Sequence, residues 1–207
     1  MTTPDVPSPI DLRLLADASE WAATAMEKRP WRTEFFAKFT DELAQLEPAV
    51  GSVLELGSGP GFLASRLLSE VPDIHMTLLD FSEAMHVLAR QRLGATVARV
   101  EFVLRNFKDP QWAEGLHNFD AVITNQAVHE LRHKRYAEGL HRQVATVLRS
   151  GGAYLVCDHY AGHGGMSNDQ LYMTVTEQKS ALESAGYASV CQVFLTGGMV
   201  LHRATAP

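Results

Sequence analysis

The sequence predicts an α/β protein: a doubly wound, mostly parallel sheet with helices on both faces and a helical cap at its N-terminal end. Three observations carry this. From residue 53 onward, short apolar runs alternate with stretches of helical period, the pattern of a wound parallel sheet. A glycine-rich loop stands between the first such run and the helix after it. The last two apolar runs are separated only by Thr196-Gly197-Gly198, which is hairpin spacing and gives the sheet an antiparallel edge. A length of 207 residues suits one domain with a small appendage, divided here into an arm and cap over 1–48 and the sheet domain over 49–207.

Each element follows from local pattern. Residues 1–9 hold three prolines among polar residues and read as a disordered or extended arm. Leu12, Leu15, Ala16, Trp21 and Ala25 mark a helix from about Ile10 that Pro30 breaks, and Phe35, Phe36, Phe39, Leu43 and Leu46 mark a second that Pro48 ends. Strands follow at 53–56, 74–79, 100–104, 119–124, 153–157, 190–195 and 199–203. Helices fill 62–70, 82–93 with Ser82 as cap, 135–149 and 169–185, and Gly186 caps the last. Ser150-Gly151-Gly152 reads as the stop after the third of these.

Composition narrows the function. Apolar residues are 46% and charged residues 20%, ordinary for a globular chain and wrong for a disordered or fibrous one. The net charge of −6, without a long basic run, argues against a nucleic-acid backbone as partner. No apolar run is long enough to span a bilayer and the first residues carry no signal pattern, so no membrane partner and a cytoplasmic location are expected. The two cysteines, Cys157 and Cys191, sit in apolar strand-like runs and read as buried reduced thiols.

The loop Gly57-Ser58-Gly59-Pro60-Gly61 follows the strand Val53-Leu54-Glu55-Leu56 and opens a helix, the context in which such a loop binds a ligand. A dinucleotide site expects G-x-G-x-x-G, whereas this loop is G-x-G-x-G with Glu55 just before it. A carboxylate there repels a pyrophosphate and suits a cationic group. Asp80, ending the next strand, is placed to accept the two hydroxyls of a ribose. The expected ligand therefore carries a ribose and a positive charge.

VLELGSGPG, LLDFSEAM, FDAVITNQAVHEL and LRSGGAYLVCDH, in that order, resemble the class I methyltransferases that use S-adenosylmethionine, over roughly residues 50–207. The resemblance implies a seven-stranded sheet in the order 3-2-1-4-5-7-6 with the last strand antiparallel, and the hairpin over 190–203 agrees with it. It implies that Glu55 and the loop at Gly57, Ser58, Gly59 and Gly61 hold the methionine end of the cofactor. Asp80 would take the ribose, and Phe81 and Met85 would flank the adenine. Asn106 and Phe107 would lie near the adenine amino group, with asparagine where the family often has an acid. Asn125 and Gln126 would line the transferring methyl. Met85 and Phe107 also fit plain core positions, and Asp80-Phe81-Ser82 also fits a helix cap.

His129-Glu130-Leu131-Arg132-His133 matches the zinc motif H-E-x-x-H. It directly follows a strand instead of sitting inside a helix, so no metal is expected and a zinc hydrolase is an alternative only. Methyl transfer to a hydroxyl or amine calls for a positioned base. The candidates are His129 after the fourth strand, and His159 with Tyr160 after the fifth. Trp31 and Phe35 from the cap and His163 from the glycine-rich loop over 158–168 are candidate acceptor contacts. The reading is a methyltransferase for an oxygen or nitrogen of a small-molecule acceptor, with a non-catalytic S-adenosylmethionine-binding protein as the first alternative and the zinc hydrolase ranked below it.

Overall fold

The computed structural model describes residues 4–71 and 73–207, so residues 1–3 of the expected arm lie outside the described residues. Two helices, α1 (Leu15–Lys28) and α2 (Arg32–Ala44), precede the sheet. Then come β1 (Ser52–Leu56), α3 (Phe62–Glu70), β2 (His75–Asp80), α4 (Glu83–Leu93), β3 (Val100–Leu104) and β4 (Phe119–Asn125). The chain ends with α5 (Ala137–Val147), β5 (Leu148–His159), α6 (Val175–Ser184), β6 (Ser189–Thr196) and β7 (Met199–Thr205). The seven strands form one sheet in the order β3-β2-β1-β4-β5-β7-β6. All neighbours are parallel except the pairs β5–β7 and β6–β7. This is the expected architecture, including the antiparallel hairpin.

Side chains of the central strands alternate between two apolar layers, as strand period requires. Val53, Ala121, Ile123, Leu155 and Cys157 face a layer closed by Phe35, Phe36 and Phe39 of α2 and by α3. Leu54, Val122, Tyr154 and Val156 face the opposite layer, closed by α5 and Leu182 of α6. The cap helix α2 therefore shares the core of the sheet. Ala18 and Trp21 of α1 pack on Ala84 and Met85 of α4. Among the described residues no helix is long and apolar enough to cross a membrane.

Boundaries differ where tertiary contacts override local pattern. Helix α1 begins at Leu15 instead of near Ile10, because residues 6–12 run as a strap pinned by the rest of the chain. Helix α6 begins after Thr174, whose side chain forms a reciprocal cap with Glu177, and not at 169. Strand β5 starts at Leu148, so Ser150-Gly151-Gly152 lies within it, beside a register shift against β4. Cys157 is buried as expected; Cys191 is exposed, on the outward face of the edge strand β6.

Candidate active site

The C-terminal ends of β1, β2, β4 and β5 open into a cavity of about 580 Å³. Its floor is set by β1 and the loop after it. Gly57 adopts φ 67°, and a Cβ there would come within 2.4 Å of Ala127 Cβ, so only glycine lets the loop pass this close to the turn after β4. The loop's amides are used internally: Gly57 N and Ser58 N donate to Leu79 O, and Gly59 N donates to Asp80 Oδ2 at 2.8 Å. Ser82 N donates to the other Asp80 oxygen at 2.9 Å.

The acids of this half are held away from their ordinary state. Burial, reinforced by the charge of Asp80, pushes the Glu55 carboxyl well above its usual range. Burial lifts Asp80 to about 6, against the pull of the Gly59 and Ser82 amides. Glu55 Oε2, Ser58 Oγ and Asn125 Oδ1 are buried without any hydrogen-bond partner, and all three residues line the cavity. Unpaired acceptors of this kind are rare in folded proteins and mark a place for donors from outside the chain. An ammonium and hydroxyl groups are such donors.

The other half is built on β4 and β5. Gln126 follows β4 in a left-handed conformation, φ 58°, with its N–H donating to Cys157 O at 2.7 Å. Its Oε1 accepts from Arg32 Nε at 2.5 Å and its Nε2 lies 2.9 Å from His159 Nε2. Asp158, near the end of β5, accepts from His129 N at 2.8 Å, from His159 N at 2.7 Å and from the ring Nδ1 of His129 at 2.7 Å. The other ring nitrogen of His129 lies 3.4 Å from Glu130 Oε1. Burial pulls the His129 pKa down, but Asp158 and then Glu130 outweigh it and raise it to about 10. His159, with burial dominant, falls to about 4. At neutral pH the pair is one imidazolium and one neutral imidazole, with ring centroids 5.6 Å apart. Tyr172 packs against both rings, tilted to His129 and edge-on to His159.

Over the cavity lie Pro7, Pro9, Ile10 and Leu12 of the strap and Trp21, Ala25 and Arg32 of the cap. Val6 N donates to Arg132 O at 2.8 Å, while Arg132 Nε and Nη2 donate to the carbonyls of Val6 and Pro7.

Of the expected cofactor contacts, Glu55, Gly57, Ser58, Gly59, Asp80, Phe81, Met85, Phe107, Asn125 and Gln126 line this cavity. Gly61 stands at the start of α3, packed on Ala89. Asn106 does not line it; it is exposed and its Oδ1 accepts from Lys108 N at 3.0 Å. His129 and His159 line the cavity, whereas Tyr160 does not; it is folded against its own loop, where Gly165 leaves room for it. The expected acceptor contacts are placed elsewhere. Phe35 is fully buried edge-on to Phe194, Trp31 packs over Gly197, and His163 is exposed. The zinc motif is dismantled by geometry: Val128–Leu131 is one turn of 3-10 helix, Arg132 breaks it at φ 68°, and His133 accepts from Arg135 N beyond. Sequence reasoning gave Asp158, Arg32 and Tyr172 no role of their own here and met Glu130 only as part of the zinc motif. Asp158 had a usable signal, an acid at the C-terminal end of a parallel strand, as Asp80 is on β2.

A doubly wound sheet with this glycine loop and a buried acid at the end of β2 is the architecture of proteins that bind a nucleoside-bearing cofactor. Residues 53–152 match the family of methyltransferase domains. These residues form a methyltransferase domain of the class I, S-adenosylmethionine-dependent kind, and its cofactor is S-adenosylmethionine. It is 28% identical over 159 residues to malonyl-[acyl-carrier protein] O-methyltransferase of Geobacter sulfurreducens, covering 70% of this chain and 58% of that protein. It is 32% identical over 84 residues to ribosomal RNA small subunit methyltransferase C of Yersinia pestis, covering 41% of this chain and 23% of that one. The chain thus spans less than two thirds of the length of either relative. Among solved structures, the DhpI–SAH complex matches with TM-score 0.72 and 22% identity over 92% of this chain and 91% of that one. Human N-acetylserotonin methyltransferase in complex with SAM matches with TM-score 0.70 and 17% identity over 94% and 57%. At these identities the structures speak for the fold alone.

Proposed function

We propose that this chain transfers the methyl group of S-adenosylmethionine to an oxygen or nitrogen of a small-molecule acceptor. The observation that carries this is the set of unpartnered buried acceptors on Glu55, Ser58 and Asn125, in one cavity with a neutral His159. These residues fit the cofactor: Glu55 would receive its ammonium group and Asp80 its ribose, while Met85, Phe81 and Phe107 would enclose the adenine. Bound there, the cofactor supplies an electrophilic methyl on a sulfonium.

The chain supplies position and proton handling. Gln126 and Asn125 edge the cavity between the cofactor half and the histidines. His159 takes the proton of the acceptor hydroxyl or amine at Nε2, the nitrogen now facing the Gln126 amide. His129, held between Asp158 and Glu130, keeps a positive charge and orients its neighbours without taking a proton. The roof of strap and cap favours a small acceptor over a nucleic acid, and the relatives named for O-methylation of malonyl-[acyl-carrier protein] favour oxygen. No long basic run suggests a nucleic-acid surface.

Calorimetric titration with S-adenosylhomocysteine tests the cofactor, and release of S-adenosylhomocysteine across an acceptor panel tests turnover. Binding without any turnover would leave a cofactor-binding protein that does not catalyse. The pH profile separates the two histidines. With His159 as base, kcat/KM rises through about pH 4 and is level at neutrality. A rate still climbing toward pH 10 transfers the role to His129.

A further inference from the structure

The partners of Gln126 allow its amide only one orientation. Arg32 Nε, which can only donate, lies 2.5 Å from one end of it. Met199 Sδ, which can only accept, lies 2.9 Å from the other. The carbonyl oxygen therefore faces the guanidinium, and the NH2 group faces the sulfur. The backbone fixes the side chain further. Gln126 is held at φ 58° by its N–H bond to Cys157 O, a left-handed conformation that a glutamine adopts only at a cost.

His159 meets the NH2 end of this amide, with Nε2 at 2.9 Å. A donor on that side calls for a lone pair on Nε2, which leaves the proton of the neutral ring on Nδ1. Nδ1 is buried without a protein partner in either tautomer, so it does not decide between them. The Gln126 contact does. The other tautomer would set N–H against N–H at Nε2 and gain nothing at Nδ1. The ring is also kept from turning over. His159 N donates to Asp158 Oδ1 at 2.7 Å, and its carbonyl accepts from Gln178 Nε2 at 2.8 Å. The rings of His129 and Tyr172 stand beside it, with centroids 5.6 and 5.8 Å away. The ring is neutral at physiological pH, because burial, helped by the cations His129 and Arg29, outweighs Asp158.

We propose that Gln126 is a positioning residue for methyl transfer: fixed between Arg32 and Met199, it holds His159 in the Nδ1–H tautomer and so keeps Nε2 free to take the acceptor's proton. This rests on the function proposed above. The acceptor's O–H or N–H takes the place of the Gln126 amide at Nε2. As its oxygen or nitrogen bonds to the methyl carbon, the carbon–sulfur bond breaks and its electron pair stays on sulfur. The proton passes to Nε2, and the positive charge of the sulfonium is replaced by that of the imidazolium.

The test is nitrogen–proton correlation NMR of the His159 ring, assigned through its own backbone, in the full chain at neutral pH as wild type and Q126E. The substitution keeps the length of residue 126 and its bond to Arg32, but turns the donor facing His159 into an acceptor. In the wild type Nδ1 carries the proton and Nε2 is bare. In Q126E a proton sits on Nε2, in the neutral or the charged ring, and kcat for release of S-adenosylhomocysteine falls by about a hundredfold or more. A wild-type ring protonated at Nε2, or a Q126E ring still bare there, overturns the positioning role and leaves the parent function standing. The wild-type spectrum alone can do this, so the test holds if Q126E does not fold. Spectra as expected with kcat unchanged in Q126E would remove His159 as the base and the positioning role with it. A wild type that transfers no methyl to any acceptor overturns the parent function and this inference together, whatever the spectra show.

Discussion

The two halves of the cavity are built in opposite ways. On the β1–β2 side, polar groups come from two short stretches, 55–59 and 80–85, and Glu55 Oε2 and Ser58 Oγ stand buried without partners. On the β4–β5 side the side chains are tied to one another, and only Asn125 Oδ1 and His159 Nδ1 among its cavity groups are buried without a partner. Asp158 alone takes two backbone amides and an imidazole, and Gln126 joins Arg32 to His159. One half is incomplete until a ligand arrives; the other is assembled before it does. Unmet acceptors cost stability in the empty protein and return it on binding, whereas a satisfied network fixes geometry in advance. The contrast suits a cofactor that must be gripped beside a reaction centre that must not shift.

Removing a hub of the assembled half gives the largest expected effect. Asp158→Asn keeps the shape and deletes the charge under His129, so it is expected to destabilise the fold by about 3 kcal/mol, the cost of breaking a buried pair. The pH dependence has a definite sign. His129 is raised on folding, so its contribution is whole below the unfolded value of 6.5 and is lost as pH rises through about 10. Asp158 is lowered, despite burial, by His129, so its contribution is present above 3.8 and is lost as pH falls through its depressed folded value. Urea unfolding of wild type and variant should therefore differ most between pH 4 and 6.5, and the gap should close by pH 10. A gap that widens toward pH 10 would contradict the pairing.

The incomplete half should respond in the reverse direction. The Glu55 carboxyl is raised on folding, so the folded state holds its proton over a range where the unfolded chain has lost it, and stability declines as pH rises past 4.5. Glu55→Gln removes that penalty. The variant should be more stable than wild type at neutral pH, by about 1 kcal/mol, and should bind S-adenosylhomocysteine about tenfold more weakly through loss of a charge-assisted contact. Thermal unfolding and calorimetry read the two effects separately. Stability and affinity falling together would mean that Glu55 serves the core and not a ligand.

The same contrast explains what could be read in the sequence. Strand order, the glycine loop, Glu55 and Asp80 are local: each is announced by residues within a few positions of itself, and the resemblance of four ordered motifs supplied the topology. The assembled half is not local. Arg32 meets Gln126 across 94 residues, and His129 meets Asp158 across 29. Trp31 and Phe35 looked like acceptor contacts because aromatic residues on a cap helix can face either way, and period alone does not tell a core face from a cavity face. Burial edge-on to Phe194 decides it for Phe35. Tyr160 and His163 were drawn in by a glycine-rich loop that instead closes on itself, with Met166 N donating to Tyr160 O.

The smallest expected effect concerns the strap, which crosses both halves. Residues 6–12 belong to neither motif, yet Pro7, Pro9, Ile10 and Leu12 line the cavity. Two anchors hold them. One is Arg132, reached across 126 residues from Val6; the other is Ser82, whose hydroxyl donates to Leu12 O at 2.5 Å. Ser82 also caps α4 by accepting from Met85 N, so replacing it would disturb the cofactor half directly. Arg132→Ala leaves that cap alone and removes only the hydrogen bonds of its side chain to the strap and to Glu130. The expected loss is about 1 kcal/mol in strap closure, so S-adenosylhomocysteine should leave about fivefold faster while its association rate changes little. Stopped-flow dissociation measures this. If release is instead unchanged while turnover falls, the strap covers the acceptor and not the cofactor. Arg132 would then belong to the assembled half of the site.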